Sequence, residues 1–425
     1  MDAVRATFRL VTPLACSGAD QSEVELRPAT LRGLLRYWYR AADPAFRARE
    51  ASIFGGTDAG EGQSAFLLRV RDSHLKDAKG VDLARYRDLS IANTRYKRPE
   101  NASRWTWQLN GMQYLGFSLK DPRKVVEPPG HFTVQLLFRK RPDPYTRRAV
   151  LAALWLLGHV GGVGSRSRRA FGTVALQSEA CDPASWPEAT ELRPAHGAAT
   201  FDEWVDAFSR GLEVIKAWFP VKASPPAKHA TLAESQYCLM STGFRAARVG
   251  AGSFAAWELA MDAAGKTMQS FRQRLDLTNP KSDYHAVKTH IASVDAMAAT
   301  AFAPGVPAPV GTAPERAAFG LPLTFRYSSL SYPNPRNPGR DFVPSVTFRG
   351  SAHERSASPI HMRVVQIGNE AYPFFAWLPA PLLAPAEQVQ WTMGRTRDVI
   401  GSPSGSLLDT FWANSILPSG RGVSY

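Results

Sequence analysis

The chain has 425 residues, 44% of them apolar, which exceeds what one hydrophobic core usually organises and predicts two domains of ordinary size. Its 51 Lys and Arg against 37 Asp and Glu leave a net charge of +14, which points to a polyanionic partner such as nucleic acid without choosing among RNA, DNA and anionic lipid. No apolar run reaches the about 18 residues of a membrane span, the first residues lack the apolar segment of a signal peptide, and Cys16, Cys181 and Cys238 are too far apart for a CxxC pair or a zinc knuckle.

The reading is therefore a soluble, cytoplasmic protein with no membrane association, no disulfide framework, no metal and no cofactor. Thr7 to Leu14 is predicted as a first strand. Pro28 opens a helix, PATLRGLLRYWYRAA, in which Leu31, Leu34, Leu35, Trp38 and Ala42 form a buried stripe while Arg32, Arg36 and Arg40 recur every four residues on another face. Exposed apolar surface near Trp38 and Tyr39 is a candidate interface. Further strands are predicted at Ser64 to Arg71 and at His131 to Arg139, with β-branched or aromatic content. Between them, roughly residues 73–130, lies a connection too long for a hairpin, which marks an insertion. From Arg85 to Lys124 it holds nine basic residues against three acids, interleaved with rings such as Tyr96, Trp105, Trp107 and Tyr114. Arg95, Lys97, Arg98 and Trp105 have the mixture that suits single-stranded nucleic acid, cations following the backbone and rings stacking on bases. Burial of Trp105 and Trp107 against the domain is an equally open reading.

A helix over Thr146 to His159, almost entirely apolar, is predicted to be buried on most sides. Behind it comes GGVGSRSRRAFG, residues 161–172, glycine-rich, with three arginines and no acid. Neither dinucleotide nor P-loop spacing fits, because Ser167 stands where a third glycine would be and no lysine follows. Glycines here permit φ > 0 and a close approach of a polyanion to main-chain N–H groups, while arginines supply bidentate phosphate contacts. A mobile cationic loop anchored by an apolar helix is the expectation. The strand TVALQSE follows, completing strand, helix, two strands, helix, strand, the ferredoxin-like order that RNA-recognition modules use. In that order the first and fourth strands are neighbours, so the loop and the segment entering the first helix should lie close together.

Past Ser178 a turn-rich stretch marks the boundary between domains 1–180 and 181–425. The second half is predicted to have strands at Gln236 to Ser241, Leu323 to Ser329, Ser345 to Arg349, His361 to Ile367 and Tyr372 to Leu378. Its helices are placed at Asp202 to Trp218, Ala255 to Asp276 and Tyr284 to Ala299. Catalytic constellations are thin: HExxH, GxSxG and carboxylate clusters are missing. His74, His131 and His159 are candidates for acid–base cleavage of RNA, each weighed against a structural role.

Several segments together resemble a known family: VELRPATLRGLLRYWYRA, ASIFGG, MQYLGFSL, GGVGSRSRRAFGTV, MQSFRQRL, AAFGLPLTF and ERSASPIHMRV. They are similar to the repeat-associated (RAMP) proteins of type III CRISPR systems, most closely the double-RAMP head subunits of type III-B Cmr effector complexes. The resemblance implies an α+β chain of two ferredoxin-like domains with antiparallel sheets and a long insertion in the first. It implies an RNA-binding, non-catalytic part of an antiviral ribonucleoprotein. Its partners would be the 3′ portion of the guide (CRISPR) RNA, the paired single-stranded target RNA and the other Cmr subunits. Carried over by motif, Arg32, Arg36, Arg40, Gly162, Gly164, Ser165, Arg166, Arg168 and Arg169 would contact RNA. Ala170 departs from the pattern, standing where a glycine is common. A metal-independent RAMP endoribonuclease that processes guide precursors through His74 or His131, and a purely architectural subunit, remain as alternatives.

Overall fold

The computed structural model describes residues 2–20, 23–58, 60–71, 73–75, 81–82, 111–116, 119, 124–220, 243–250, 252–277, 283–300, 308–335, 337, 339–384, 386–416 and 422–424. Strands β1 (Ala3–Leu10), β2 (Phe66–Arg71), β3 (Gly130–Phe138) and β4 (Val174–Ala180) form one antiparallel sheet in the order β2-β3-β1-β4. Alternation decides the face of β1: Val4, Ala6, Phe8 and Leu10 are buried, whereas Arg5, Thr7 and Arg9 point the other way. Phe8 stacks on Phe132 of β3, 5.5 Å between ring centroids.

The buried face carries α1 (Pro28–Ala42) and α4 (Pro144–His159), each with proline in its first turn. The Asp143 carboxylate caps α4 by accepting from Thr146 N at 2.9 Å. Thirteen residues of α4 are buried. Beyond the first sheet, it is covered by α5 (Phe201–Trp218), whose Gly211 lies so close to the Trp155 ring that a Cβ there would fall 2.2 Å from it. The ion pair of Arg147 and Glu188, at 2.7 and 2.8 Å, closes the same side. Residues 186–218, past the expected boundary, thus belong to the cluster that packs the first sheet. Trp38 and Tyr39 are buried in it as well, which corrects their reading as an exposed interface.

The second half repeats the order. Strands β5 (Arg245–Arg248), β8 (Ile360–Ile367), β9 (Glu370–Trp377) and β12 (Gly422–Ser424) pair antiparallel as β8-β9-β5-β12, with α6 (Trp257–Leu277) after β5 and α8 (Ser406–Phe411) before β12. The molecule is therefore α+β with two antiparallel sheets of ferredoxin-like order. Both faces of the second sheet are covered. Met362, Val364 and Phe375 pack with α6 and Phe411, while Val365, Ile367 and Phe374 join the cluster of the first sheet. That double coverage explains why β8 and β9 are buried almost continuously.

A third lobe was not anticipated. Strands β6 (Leu323–Arg326), β7 (Ser345–Gly350), β10 (Val389–Met393) and β11 (Thr396–Ile400) make a separate sheet, β11-β10-β7-β6. Together with α7 (Asp283–Val294) it encloses its own core, including Ile291, Val346, Phe348 and Trp391. Two other expectations shift. The first strand runs over Ala3–Leu10, because residues 11–14 leave the sheet and Leu14 pairs with Val126. The helix expected from Tyr284 to Ala299 breaks at Asp295, whose carboxylate accepts from Met297 N and Ala298 N at 3.0 and 3.1 Å. The strand expected at Gln236 to Ser241 lies outside the described residues. Among the described residues no helix is long and apolar enough to cross a membrane.

Candidate nucleic-acid interface at the junction of the two sheets

The cationic loop is closed at its neck and packed along its length. Val163 N donates to Gly172 O at 2.8 Å, and Gly162 bridges Thr173. Gly164 has φ +83° and Gly172 has φ +59°, and a Cβ on either would lie 2.4 Å from Ala15 O or 1.9 Å from Val163 O. These glycines are required by close approach as well as by backbone conformation. The segment before α1 sews the loop down: Ser165 N donates to Ala15 O and Gly172 N to Pro13 O, both at 2.7 Å. The expected nearness of these two segments is thus present, but the expected mobility is not. The N–H groups of Ser165, Ala170 and Gly172 are already bonded to protein carbonyls. Ala170 takes a left-handed φ of +63° while fully buried, so alanine here is held by packing in a conformation that favours glycine.

The far side of the loop clasps the second sheet. Met362 N donates to Arg168 O at 3.0 Å and Ala170 N to Met362 O at 2.9 Å, a short parallel bridge onto the outer edge of β8. The Arg168 guanidinium donates to Ser358 O and, at 3.3 Å, to Tyr37 Oη, and lies 5.4 Å from the Tyr37 ring centroid. Together with burial, its charge holds the His361 imidazole neutral, well below the usual histidine range. Arg169 faces Tyr114 and Arg272. Burial pushes its guanidinium below the usual arginine range, with Tyr114 opposing and the Arg272 charge adding to the effect. Arg166 sits at the turn with φ +62° and is partly exposed.

The insertion supplies Tyr114. Its described end, α3 (Gly111–Leu115), docks on α6, where Asp262 Oδ1 accepts from Gly111 N at 2.8 Å and Met112 N at 3.2 Å. Docking brings Tyr114 Oη within 2.8 Å of Arg272 Nη1. Loop arginines, Tyr37, Tyr114 and Arg272 therefore converge from four separate chain segments into one cationic and aromatic surface, a combination suited to phosphate contact and ring stacking. Arg95, Lys97, Arg98, Trp105 and Trp107 lie outside the described residues.

The arginine stripe of α1 does not join this cluster as a unit. Arg36 donates to Phe54 O at 3.0 Å and to Gly55 O, and pairs with Glu50 at 3.3 Å; Arg40 donates to Glu50 at 2.7 Å. Both turn to α2 (Glu50–Phe54). Arg32 is half-buried, and its Nε has no hydrogen-bond partner. Of the histidines, His159 is structural. Its Nδ1 donates to Trp155 O at 2.7 Å and its Nε2 accepts from Ala195 N at 2.9 Å, a neutral tautomer whose pKa burial lowers to about 3. The His74 and His131 rings lie 4.1 Å apart at the start of β3.

Residues 7–175, which run from within β1 to the start of β4 and hold the whole loop, match the model of the RAMP superfamily. That stretch is similar to RAMP-superfamily domains. A curated relative, CRISPR system Cmr subunit Cmr1-2 of Pyrococcus furiosus, is 25% identical over 195 residues, which is 39% of this chain and 91% of that protein. The apo crystal structure of Cmr1 from Pyrococcus furiosus shares the fold, with a TM-score of 0.53 at 18% identity, across 100% of this chain and 98% of that one. A chain of a type III-B Cmr-beta assembly bound to cognate target RNA has a TM-score of 0.43 at 12% identity over 90% of this chain.

The glycine-rich loop was legible from sequence, whereas its neighbours were not. Tyr37 and Arg272 sit inside quoted segments, LRGLLRYWYRA and MQSFRQRL, yet only the docking of α3 and β8 brings them to the loop. Arg363 and Arg9, described below, gave no local signal beyond the position of Arg363 in ERSASPIHMRV.

Proposed function

We propose that the chain is an RNA-binding subunit of a type III-B CRISPR ribonucleoprotein, holding the 3′ part of the guide RNA and the paired target without cleaving either. The carrying observation is the convergence of Arg166, Arg168, Arg169 and Arg272 with Tyr37 and Tyr114 on a loop fixed to both sheets. Arginines on a rigid loop grip phosphates at little ordering cost, rings stack on bases, and pairing between guide and target supplies sequence specificity. The kinship with a Cmr subunit supports the assembly, and the other Cmr subunits are the proposed protein partners. Arg32, Arg95, Lys97, Arg98 and Trp105 are proposed as further contacts to the same RNA.

The test is anisotropy of a labelled single-stranded RNA titrated with the full chain at several salt concentrations. Arg166→Ala with Arg169→Ala, which leaves the Arg168 clasp in place, is expected to weaken binding across all sequences. Losing two single-strand phosphate contacts lowers the slope of log K on log salt by about 1.4. An unchanged affinity and slope refute the assignment.

The nearness of His74 and His131 favours one second reading, a metal-independent endoribonuclease with these imidazoles as general acid and base. Cleavage of a repeat RNA by the purified chain in chelator, abolished by His74→Ala or His131→Ala, would establish it.

A further inference from the structure

Where the outer edge of β4 approaches β8, the junction encloses a cavity of about 260 Å³, lined among others by Arg9, His159, Gln177, His196, Arg363 and Gln366. Arg363 is almost completely buried. Its Nη2 donates to Gly158 O at 2.8 Å and Val174 O at 3.0 Å, carbonyls at the end of α4 and the start of β4. Its Nε and Nη1 have no hydrogen-bond partner. Arg9 stands opposite Ala175 in the sheet register, and its Nη2 reaches Gln366 O at 3.4 Å while its Nε also lacks a partner.

No carboxylate lines the cavity among the described residues. The contrast with Arg147 is direct, because that buried guanidinium is matched by Glu188 at both ends. Burial alone brings Arg363 down to about 9, which still leaves it charged at neutral pH. A buried cation with unsatisfied N–H groups and no counter-charge is costly in a low-dielectric interior. A tetrahedral oxyanion offers what is missing, a negative charge and several acceptor oxygens arranged for guanidinium forks. The rim is accessible, since His196, Gly197 and Gly368 are exposed.

We propose that this cavity is a phosphate-binding site, with Arg363 at its floor, Arg9 at its wall and His196 at its mouth. It uses residues of both sheets and none of the loop arginines, so it stands or falls apart from the RNA-binding reading. The phosphate comes either from a nucleic-acid strand or from a free phosphate compound, and the two sources are separable.

The experiment is calorimetric titration of the full chain with inorganic phosphate at constant ionic strength, with chloride as the reference. Saturable binding in the millimolar range or tighter is expected in the unmodified chain. Arg9→Gln, at the partly exposed wall, should weaken it about tenfold or more, as losing a hydrogen bond from a charged group does. Arg363→Met should abolish it, and Arg9→Gln keeps the test decisive if that variant fails to fold. Repeating the titration in saturating single-stranded RNA identifies the source: competition assigns the site to a nucleic-acid phosphate, and independent binding assigns it to a free phosphate compound. Absence of phosphate-specific binding, or equal binding by Arg9→Gln, overturns the proposal.

Discussion

Gly172→Ala tests whether the loop is as tightly closed as its neck indicates. A Cβ at Gly172 would lie 1.9 Å from Val163 O and 3.2 Å from the Leu14 side chain, on a backbone with φ +59°. The left-handed conformation costs alanine about 1–2 kcal/mol. Val163 is fully buried and cannot step aside, so the overlap must open the neck. Opening loses the bonds from Val163 N to Gly172 O and from Gly172 N to Pro13 O, about 1 kcal/mol each. The sum is a destabilisation of about 3–4 kcal/mol, a large part of the stability of an ordinary domain. Gly197→Ala is the control: it has φ +92° and open space around it, so only the backbone strain of about 1–2 kcal/mol applies. Urea unfolding of both variants measures the difference. Values for the two within about 0.5 kcal/mol of one another would refute the packed loop.

Two further outcomes are expected. Arg36→Ala should destabilise the chain by about 1–2 kcal/mol, through lost contacts to Phe54 O, Gly55 O and Glu50, while leaving the salt slope of RNA binding unaltered; a reduced slope in anisotropy would return Arg36 to the RNA surface. Stability should fall in acid. The unfolded chain binds a proton at His159 near its ordinary value of 6.5, whereas the folded chain does so only at about 3, so this histidine's contribution is fully present above pH 6.5 and is lost as pH drops. At pH 5 the loss is about 2 kcal/mol, with His361 acting in the same direction, and His159→Gln should flatten the pH dependence of the urea midpoint. An identical pH dependence in that variant would contradict the assignment.

Helix α1 was legible because proline at the first turn and an apolar periodicity agree, and α4 because its sequence is almost entirely apolar. The first sheet followed from the order of its elements. β1 was displaced because residues 11–14 remain apolar while serving the loop rather than the sheet, a role local pattern does not distinguish. In the second half, RAAR of β5 and GVS of β12 have no strand signature of their own; their neighbours in the sheet make them strands. β6 and β7 were recognised as strands but belong to a different sheet from β8 and β9, since pairing over long separations is not written in alternation. The same holds for the site. The loop's glycines and arginines announced a cationic element, but the partner of Arg168 is Ser358, 190 residues away, and the repeat of Arg32, Arg36 and Arg40 did not show that Glu50 takes the latter two.

The clasp between the loop and β8 also sets a timetable. On a growing chain every strand of the first sheet has been made once Ala180 emerges, yet Met362, which fixes the loop, follows much later. At about 5–20 residues per second that interval is about 10–40 s. For that time the cationic loop is held only by its own neck and by the segment before α1, and its face toward β8 is uncovered. Synthesis of β8 then ends this window and gives the edge of the second sheet its cover in the same event.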